Sequence, residues 1–446
     1  MSERNKKNDS KKVIRKKRRV RNQIIAYGVV TIILIGLGIG GYIGVSRLSK
    51  EIDQLTEAAA ETTQEETESV TIPEENQIEI VEPETESEPV EYSKEELLEE
   101  LVQSCIDEMP LEDKVAGLFV VTPESLTGTD KVIKAGDATK EALAKYPVGG
   151  LIYFKQNIQS EEQIKEMLAN TKEYSKYPIF LAVDEELGEV ARVQSALQLD
   201  KTKTAKELGE ISDVQATKDE YGIIGNRLLE YGFNLDFAPV ADILLDENNK
   251  AIGDRSFGQD TKIVSERVSA SVEALNDCGV FSCLKHFPGQ GAANGDTHEG
   301  IAATTRSADD IRANELQPFV SGISAGTNMI MVGHFAAESL TGDSALPCSL
   351  SKEVMTDLLR GECQYDGVII TDALAMSAIS DYYTSKEAAV KALKAGADML
   401  LMPSDFEEAY NGVLEAVKEG TIDEQRIDDS LARVYRVKYA STIEDE

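Results

Sequence analysis

The sequence predicts a single (β/α)8 barrel of the TIM type over residues 95–446, and three observations lead to that prediction. Eight short apolar runs follow one another between residues 116 and 403. Amphipathic stretches such as SEEQIKEMLANTKEYS and TKIVSERVSASVEALNDC separate most of these runs. Continuous apolar strands that alternate with helices are typical of a parallel sheet covered on both faces. Eight such strands in one domain favour a barrel over an open sheet.

The third observation is that polar residues stand at or near the ends of these runs. The runs are AGLFVV (116–121), VGGLIYF (148–154), IFLAVD (179–184), FNLDFAPVAD (233–242), VFSCLKHF (280–287), TNMIMVGH (327–334), GVIITDAL (367–374) and ADMLLMP (397–403). The polar residues are Asp184, Asp242, Lys285, His286, His334 and Asp372. Because the carboxyl ends of barrel strands converge on one face, we expect these side chains to build a site there.

The segment before the barrel is predicted to be a membrane anchor. Residues 1–23 contain the basic run KKVIRKKRRVRN, and residues 24–45 carry no charged side chain. Such a run is long enough to cross a hydrocarbon core of about 30 Å as a helix. The small-residue cleavage candidate, Ala58–Ala60, lies too far beyond this run for a cleaved signal peptide. We therefore predict a basic cytoplasmic tail (1–23) and a transmembrane signal anchor (24–46), with the barrel outside the cell.

Residues 47–94 are predicted to be a disordered acidic linker. They are rich in Glu, Thr and Pro, as in EAAAETTQEETESV, and have too little apolar surface to offset the entropy of ordering. The net charge of the chain, -34, argues against a nucleic-acid partner, since phosphates require a basic surface. The sequence thus favours a single-pass cell-membrane protein with an extracellular catalytic domain.

The chemistry is expected to centre on the stretch KHFPGQGAANGDTHEG, residues 285–300, because it holds two of the three histidines of the chain. Asp296 and His298 are two residues apart, so in an extended loop both side chains can point the same way. A carboxylate on one ring nitrogen fixes the tautomer and leaves the other nitrogen to exchange protons near neutral pH. The alternative is ordinary hydrogen bonding within a loop. We expect no metal, which would require more ligands than these, and no cofactor.

Asp372 and the pair Lys285–His286 also admit two interpretations. Asp372 follows a buried apolar strand, where a carboxylate is costly to desolvate unless it is paired or takes part in chemistry. Its alternative role is that of a helix N-cap. Lys285 and His286 could contact a substrate or could simply close the barrel core.

The motif KHFPGQGAANGDTH resembles the K-H-F-P-G-H-G…D-[ST]-H signature of bacterial β-N-acetylglucosaminidases in glycoside hydrolase family 3. Further matches occur in the expected order, with FAPVAD at 237–242, GDRSFG at 253–258 and TDALAM at 371–376. The resemblance covers about residues 98–440. It implies a barrel-only enzyme, and we expect no second α/β domain to complete the pocket.

The resemblance also implies a role for each matching residue. Asp372 matches the nucleophile, His298 the acid/base residue and Asp296 its dyad partner. Sugar contacts are implied for Asp184, Arg192, Arg255, Lys285 and His286.

The sequence departs from the family pattern at three positions. In DEELGEVAR, Leu187 replaces a glycine and Glu189 replaces an arginine, while Gln290 replaces a histidine of the family signature. The step of eight residues from Asp184 to Arg192 is kept, so we expect both side chains to reach the pocket.

The resemblance predicts a retaining exo-β-N-acetylglucosaminidase that acts on peptidoglycan fragments or related β-glycosides through a covalent glycosyl-enzyme. Three alternatives remain open at this point. One is a retaining β-glucosidase of the same family. The second is a phosphate-using β-N-acetylglucosaminide phosphorylase, since a neutral imidazole does not repel an anionic acceptor. The third is a cell-wall sugar-binding protein whose catalytic site has decayed.

Overall fold

Eight parallel strands form the barrel in the computed structural model, which describes residues 93–440. The barrel strands are β1 (Phe119–Val121), β2 (Gly150–Tyr153), β3 (Phe180–Val183), β4 (Leu235–Asp236), β5 (Phe281–Phe287), β7 (Met329–Val332), β9 (Val368–Thr371) and β10 (Leu400–Leu401). Their spatial order is β10-β1-β2-β3-β4-β5-β7-β9. A further parallel bridge between Ile370 and Met399 joins the two end strands and closes the barrel. The (β/α)8 prediction is confirmed.

Each of the eight predicted runs contains one barrel strand, although the regular strands are shorter than the runs. The largest difference is at residues 233–242, where β4 covers only Leu235–Asp236. Pro239 has no N–H to give to a ladder, so regular pairing stops before it. The chain nevertheless stays beside β5, because Val240 forms an isolated parallel bridge with Lys285.

Helices cover the outside of the barrel and close its amino end. They are α1 (Lys94–Asp107), α2 (Leu111–Ala116), α3 (Pro123–Thr127), α4 (Asp137–Lys145), α5 (Glu161–Tyr174), α6 (Arg192–Leu197), α7 (Ala205–Glu210), α8 (Gln215–Tyr231), α9 (Thr261–Asp277), α10 (Ala308–Ala313), α11 (Leu316–Ser324), α12 (Glu338–Thr341), α13 (Ser377–Ser380), α14 (Ser385–Ala395), α15 (Phe406–Lys418) and α16 (Glu424–Tyr439). A π-helix (Glu353–Glu362) precedes β9. The two quoted amphipathic stretches form α5 and α9.

The apolar core is divided into two parts by the strands. One part fills the barrel interior with side chains such as Phe180, Phe237 and Met399. Val434 of α16 belongs to the same cluster, so this last helix closes the amino end of the barrel. The larger part lies between the strands and the surrounding helices.

A second, two-stranded sheet was not predicted. It pairs β6 (Ala303–Thr304) with β8 (Ala336–Ala337) beside the carboxyl end of the barrel. Its strands stand at the base of the loop that carries Asp296 and His298, because Asn294 forms an antiparallel bridge with Ala303.

The predicted tail and anchor, residues 1–46, lie outside the described residues, as does nearly all of the predicted linker. The described chain begins at Ser93, whose side chain and backbone complete a capping box with Glu96 at the start of α1. Between Ser93 and Ala440, no helix combines the length and the apolarity needed to span a bilayer.

Candidate active site

A cavity of about 580 Å³ opens at the carboxyl ends of the barrel strands. Two of the three predicted catalytic residues, Asp372 and His298, line it. The five predicted sugar contacts also line it: Asp184, Arg192, Arg255, Lys285 and His286. The structure therefore brings together residues that are almost two hundred positions apart in the sequence, in a space of the size that small ligands occupy.

Asp372 stands directly after β9 and is only partly exposed. Its backbone N–H donates to the carbonyl of Val332 at 3.0 Å, and its Oδ1 accepts from the N–H of Ala373 at 2.7 Å. The N-cap interpretation is wrong, because the next helix, α13, begins at Ser377 with Met376 as its cap. Burial opposes ionisation, but the neighbouring His334 and His286 and the Ala373 N–H outweigh it, so the pKa of Asp372 is lowered.

Asp296 and His298 are in direct contact at the rim of the cavity. The Nδ1 of His298 lies 2.8 Å from Asp296 Oδ1, which also accepts the backbone N–H of His298 at 2.9 Å. Partial burial is outweighed by these interactions with His298, and the pKa of Asp296 is lowered. The side chain of His298 is 69% exposed, so its Nε2 is accessible from solvent. The contact satisfies both the dyad and the loop-bonding interpretations of the sequence.

The loop that carries His298 is tied to the segment that follows Asp372. The backbone N–H of Ala378, in α13, donates to the carbonyl of Thr297 at 3.2 Å. Thr297 is buried and lines the cavity. The bridge between Asn294 and Ala303 fixes the other side of the loop. Both attachments hold His298 on the side of the cavity where Asp372 lies.

A buried carboxylate, Glu186, links two of the predicted sugar contacts. It accepts two hydrogen bonds from Arg255, at 2.8 and 2.9 Å, and forms an ion pair of 2.6 Å with the Nζ of Lys285. Lys285 also donates to Asp184 at 2.8 Å. Glu186 was not predicted as a site residue. The available signal was its place two residues after Asp184, since alternate residues of an extended chain point the same way.

Mutual attraction keeps Glu186 and Lys285 charged despite their burial. Burial opposes ionisation of Glu186, but Arg255 and Lys285 outweigh it and hold its pKa well below the usual range. Burial likewise opposes the charge of Lys285, but Asp184 and Glu186 outweigh it and its pKa is raised. An ammonium has three N–H donors and a guanidinium has five. Lys285 uses two, and Arg255 uses three, one of them on the Ala251 carbonyl. Donors remain on both side chains for a ligand.

His286 is oriented from behind by Asp242. Its Nδ1 lies 2.8 Å from Asp242 Oδ2, and the other oxygen of that carboxylate accepts the backbone N–H of Gln290 at 2.6 Å. This contact fixes the orientation of the imidazole ring, and Asp242 contacts only one of the two ring nitrogens. Gln290, the departure from the family signature, is buried and lines the cavity.

The altered element DEELGEVAR keeps Asp184 and Arg192 at the cavity. Glu185 is buried and accepts the backbone N–H groups of Val193 and Gln194, at 2.6 and 2.9 Å, which closes the loop onto α6. Burial raises the pKa of Glu185 to about 7. Arg192 lies over the ring of Phe154, 5.6 Å from its centroid. Both Arg192 and Asp184 therefore reach the cavity, as predicted.

The two substituted positions of this element point away from the cavity. Leu187 is 2% exposed and packs in the outer core. Glu189 is exposed and does not line the cavity. The reversed charge at position 189 consequently leaves the lining unchanged.

An apolar wall completes the cavity and was also not predicted. Its members come from the strand ends and from the segment after Asp372: Ile152, Phe154, Met331, Met376, Leu401 and Met402. Apolar runs gave no signal for this role, because residues that face a cavity and residues that face the core have the same composition.

Residues 110–437 match the family described as Glycosyl hydrolase family 3 N terminal domain.

Curated relatives of this chain carry the name β-hexosaminidase. The chain is 32% identical over 325 residues to β-hexosaminidase A of Pseudoalteromonas piscicida, an alignment that covers 67% of this chain and 54% of the relative. It is 33% identical over 336 residues to β-hexosaminidase LpqI of Mycobacterium tuberculosis, covering 73% and 82% of the two chains. The chain thus spans about half the length of the first relative and most of the second.

A solved structure with the same fold is a glycoside hydrolase family 3 β-N-acetylglucosaminidase from Paenibacillus sp. str. FPU-7. It aligns with a TM-score of 0.69 and 31% identity, and the alignment covers 76% of this chain and 64% of that one.

Proposed function

The chain belongs to glycosyl hydrolase family 3, and from this membership we propose that it is a retaining exo-β-N-acetylglucosaminidase. The observation that carries the proposal is that Asp372 and His298 line the same cavity, with Asp296 on the Nδ1 of His298. The names of the β-hexosaminidase relatives and of the Paenibacillus β-N-acetylglucosaminidase support an amino-sugar substrate.

In the proposed first step, Asp372 attacks the anomeric carbon as the bond from that carbon to the leaving oxygen breaks. His298 gives its proton to the departing oxygen. In the second step a water molecule loses a proton to His298 and attacks the same carbon, which releases the sugar and restores the Asp372 carboxylate. The lowered pKa of Asp372 supports its role, because only the ionised carboxylate can attack.

Charged groups at the side of the cavity would hold the sugar. The donors left on Lys285 and Arg255, together with Arg192 and His286, can bind hydroxyl oxygens, and Asp184 can accept from a hydroxyl. The intact lining at the altered element supports an enzyme over a decayed sugar-binding protein.

The location proposed for the enzyme is the outer side of the cell membrane, where peptidoglycan fragments or similar β-glycosides occur. It rests on the sequence of residues 1–94, with its basic tail, its uncharged segment and its acidic linker. Digestion of intact cells by an added protease, followed by immunodetection of the catalytic domain, tests this location; full protection of that domain would contradict it.

The central test uses the full-length protein and a series of aryl β-N-acetylglucosaminides. Asp372→Ala should lose about a thousandfold or more in kcat, because the covalent route is removed. His298→Ala should lose much with poor leaving groups and little with good ones, which need little help from a proton. A 2-fluoro sugar should trap a covalent adduct on Asp372.

Asp381→Ala, at an exposed aspartate near the end of α13, is the control and should retain wild-type kinetics. An Asp372→Ala variant that folds and retains activity would exclude the proposal. Faster hydrolysis of the aryl glucoside than of the N-acetylglucosaminide would indicate the β-glucosidase alternative. Formation of a sugar 1-phosphate in phosphate buffer would indicate the phosphorylase.

A further inference from the structure

A wholly buried histidine stands behind Asp372 and has no part in the scheme above. His334 follows β7 and does not line the cavity. Both of its ring nitrogens are engaged: Nδ1 lies 2.6 Å from Ser349 Oγ, and Nε2 lies 2.9 Å from the carbonyl oxygen of Ala373. Ser349 is buried as well, and its N–H donates to the carbonyl of Gly333 at 3.1 Å.

These contacts fix where the ring proton lies. A carbonyl oxygen can only accept, so Nε2 must carry the hydrogen that reaches Ala373. Nδ1 then accepts from the hydroxyl of Ser349, which can rotate to donate. Burial lowers the pKa of His334, in agreement with a neutral ring held in one tautomer.

Ala373 is the residue that joins this histidine to Asp372. Its carbonyl accepts from His334, while its N–H donates to Asp372 Oδ1 at 2.7 Å. A second backbone bond, from the N–H of Asp372 to the carbonyl of Val332, ties the same turn to β7, the strand that His334 follows. The turn after β9 is therefore held against the end of β7 on both sides of the Asp372 side chain.

We propose that His334 is a positioning residue for the nucleophile: through the carbonyl of Ala373 it fixes the turn that directs the carboxylate of Asp372 into the cavity, and Ser349 holds its tautomer. This inference rests on the proposed function of Asp372. It concerns the glycosylation step, in which the carboxylate must lie close to the anomeric carbon and in line with the bond that breaks. It leaves sugar binding to the groups around Lys285.

The test compares His334→Ala, His334→Gln and Ser349→Ala in the full-length protein. A displacement of about 1 Å at a reacting group can cost about a hundredfold, so His334→Ala should lose that factor in kcat with KM little changed. Glutamine can place an N–H near the position of Nε2, and His334→Gln should recover kcat to within about tenfold of wild type. The rate of trapping by a 2-fluoro sugar should fall in parallel with kcat.

Two further readouts separate positioning from a general loss of structure. Because the ring of His334 is neutral, His334→Gln should leave the acid limb of the kcat/KM profile where it is in wild type. Ser282→Ala is the matched control for Ser349→Ala, since it also removes a buried hydroxyl, which contacts Thr327 at 3.2 Å near the amino end of β5. It should leave kcat and the pH profile unchanged.

The inference is overturned if a folded His334→Ala keeps the kcat of wild type, or if His334→Gln loses as much kcat as His334→Ala. If His334→Ala does not fold, Ser349→Ala decides, because it removes the partner that holds the tautomer of His334. It should lower kcat relative to the Ser282→Ala control, and equal kcat values in the two variants would overturn the inference. Asp372→Ala separates this failure from that of the proposed function. Activity that survives Asp372→Ala overturns both, whereas an inactive Asp372→Ala beside a His334→Ala that keeps the kcat of wild type overturns only the role of His334.

Discussion

The two ends of the barrel both bury charged side chains, yet only one of them has the properties of an active site. At the carboxyl end, Glu186 and Asp184 bind Lys285 and Arg255 beside a cavity of about 580 Å³. At the amino end, Asp398 is fully buried before β10 and is surrounded by arginines.

At the amino end, the buried charged side chains pair with one another. Asp398 accepts from Arg360, from Arg433 at 3.3 Å and from the backbone N–H of Ile369 at 2.9 Å. Ser430 donates to it at 2.9 Å, and Arg426 lies at 3.7 Å. Arg360 and Arg426 use further donors on backbone carbonyls. The helix α16, which carries Ser430 and two of these arginines, covers the cluster.

The difference teaches that buried charge alone does not identify a site. What distinguishes the carboxyl end is that Lys285 and Arg255 keep donors that face an open space. The sequence shows which residues are charged, but not which of them keep hydrogen-bond donors free for a ligand.

The largest effect that would sharpen this comparison is expected at the amino end, in stability. Asp398→Asn removes the charge that compensates three arginines, and removing one partner of a buried pair costs about 3–5 kcal/mol. Chemical denaturation should show this loss, while kcat and KM of the folded fraction stay at wild-type values. Asp366→Asn is the control, because this aspartate pairs with Arg433 and Arg436 but is 76% exposed, and it should cost less than about 1 kcal/mol. A change in KM for Asp398→Asn would mean that the cluster at the amino end also affects substrate binding.

An intermediate effect is expected at the carboxyl end, in substrate binding. Glu186→Gln removes the charge that orients Arg255 and Lys285, and hydrogen bonds to charged groups contribute about 1.5–3 kcal/mol each. KM should therefore rise about tenfold to a hundredfold, with a smaller change in kcat, since Glu186 contacts neither Asp372 nor His298. Steady-state kinetics on an aryl β-N-acetylglucosaminide measure both constants.

Glu189→Gln is the matched control for that variant. It changes a carboxylate three residues further along the same loop, but one that is exposed and outside the cavity lining. Its kinetics should equal those of wild type. Equal losses in the two variants would mean that the loop as a whole, and not the Glu186 network, determines binding.

The smallest effect is expected from Lys438, which closes the amino end of the barrel. It is 7% exposed, its Nζ donates to the carbonyl of Gly149 at 2.8 Å, and burial lowers its pKa to about 7. Because the unfolded chain keeps the ordinary lysine pKa and binds more protons above pH 7, stability should rise from about pH 7 toward pH 10. Lys438→Met should flatten this rise and add about 1 kcal/mol at lower pH. The Gly149 carbonyl keeps a donor, the N–H of Phe180 at 3.0 Å.

Thermal unfolding between pH 6 and pH 10 measures the effect. Lys391→Met, at an exposed lysine of α14, should reproduce the wild-type pH dependence. A Lys438→Met protein that melts below wild type at every pH would mean that the contacts of the ammonium with Phe180 and Tyr435 outweigh the cost of burying it.

The fold was predictable because the strands of a parallel barrel appear in the sequence as continuous apolar runs. Each of the eight runs holds a strand, and the polar residues that close them, such as Asp184 and Asp372, lie on one face. The β6–β8 sheet was not predictable, since pairs of two residues have no period to detect.

Residues of the candidate site were predictable where they belong to a scarce type, such as histidine, or where they follow a strand. Their hydrogen-bond partners were not predictable. All of the predicted residues lie at or beside the cavity, because the motifs stand at strand ends. Asp242 and His334 were expected on this face, but their partners lie 44 and 48 positions away for Asp242 and 15 and 39 positions away for His334. Glu186 is 69 positions from Arg255. Such contacts depend on how strands are stacked side by side, which no local pattern records.

Closure of the amino end of the barrel by α16 has a consequence for access to the cavity. Between the cavity and Val434, apolar side chains fill the barrel interior, so the cavity is closed at its inner end. A ligand would therefore enter and leave through the mouth of the cavity, beside the exposed His298.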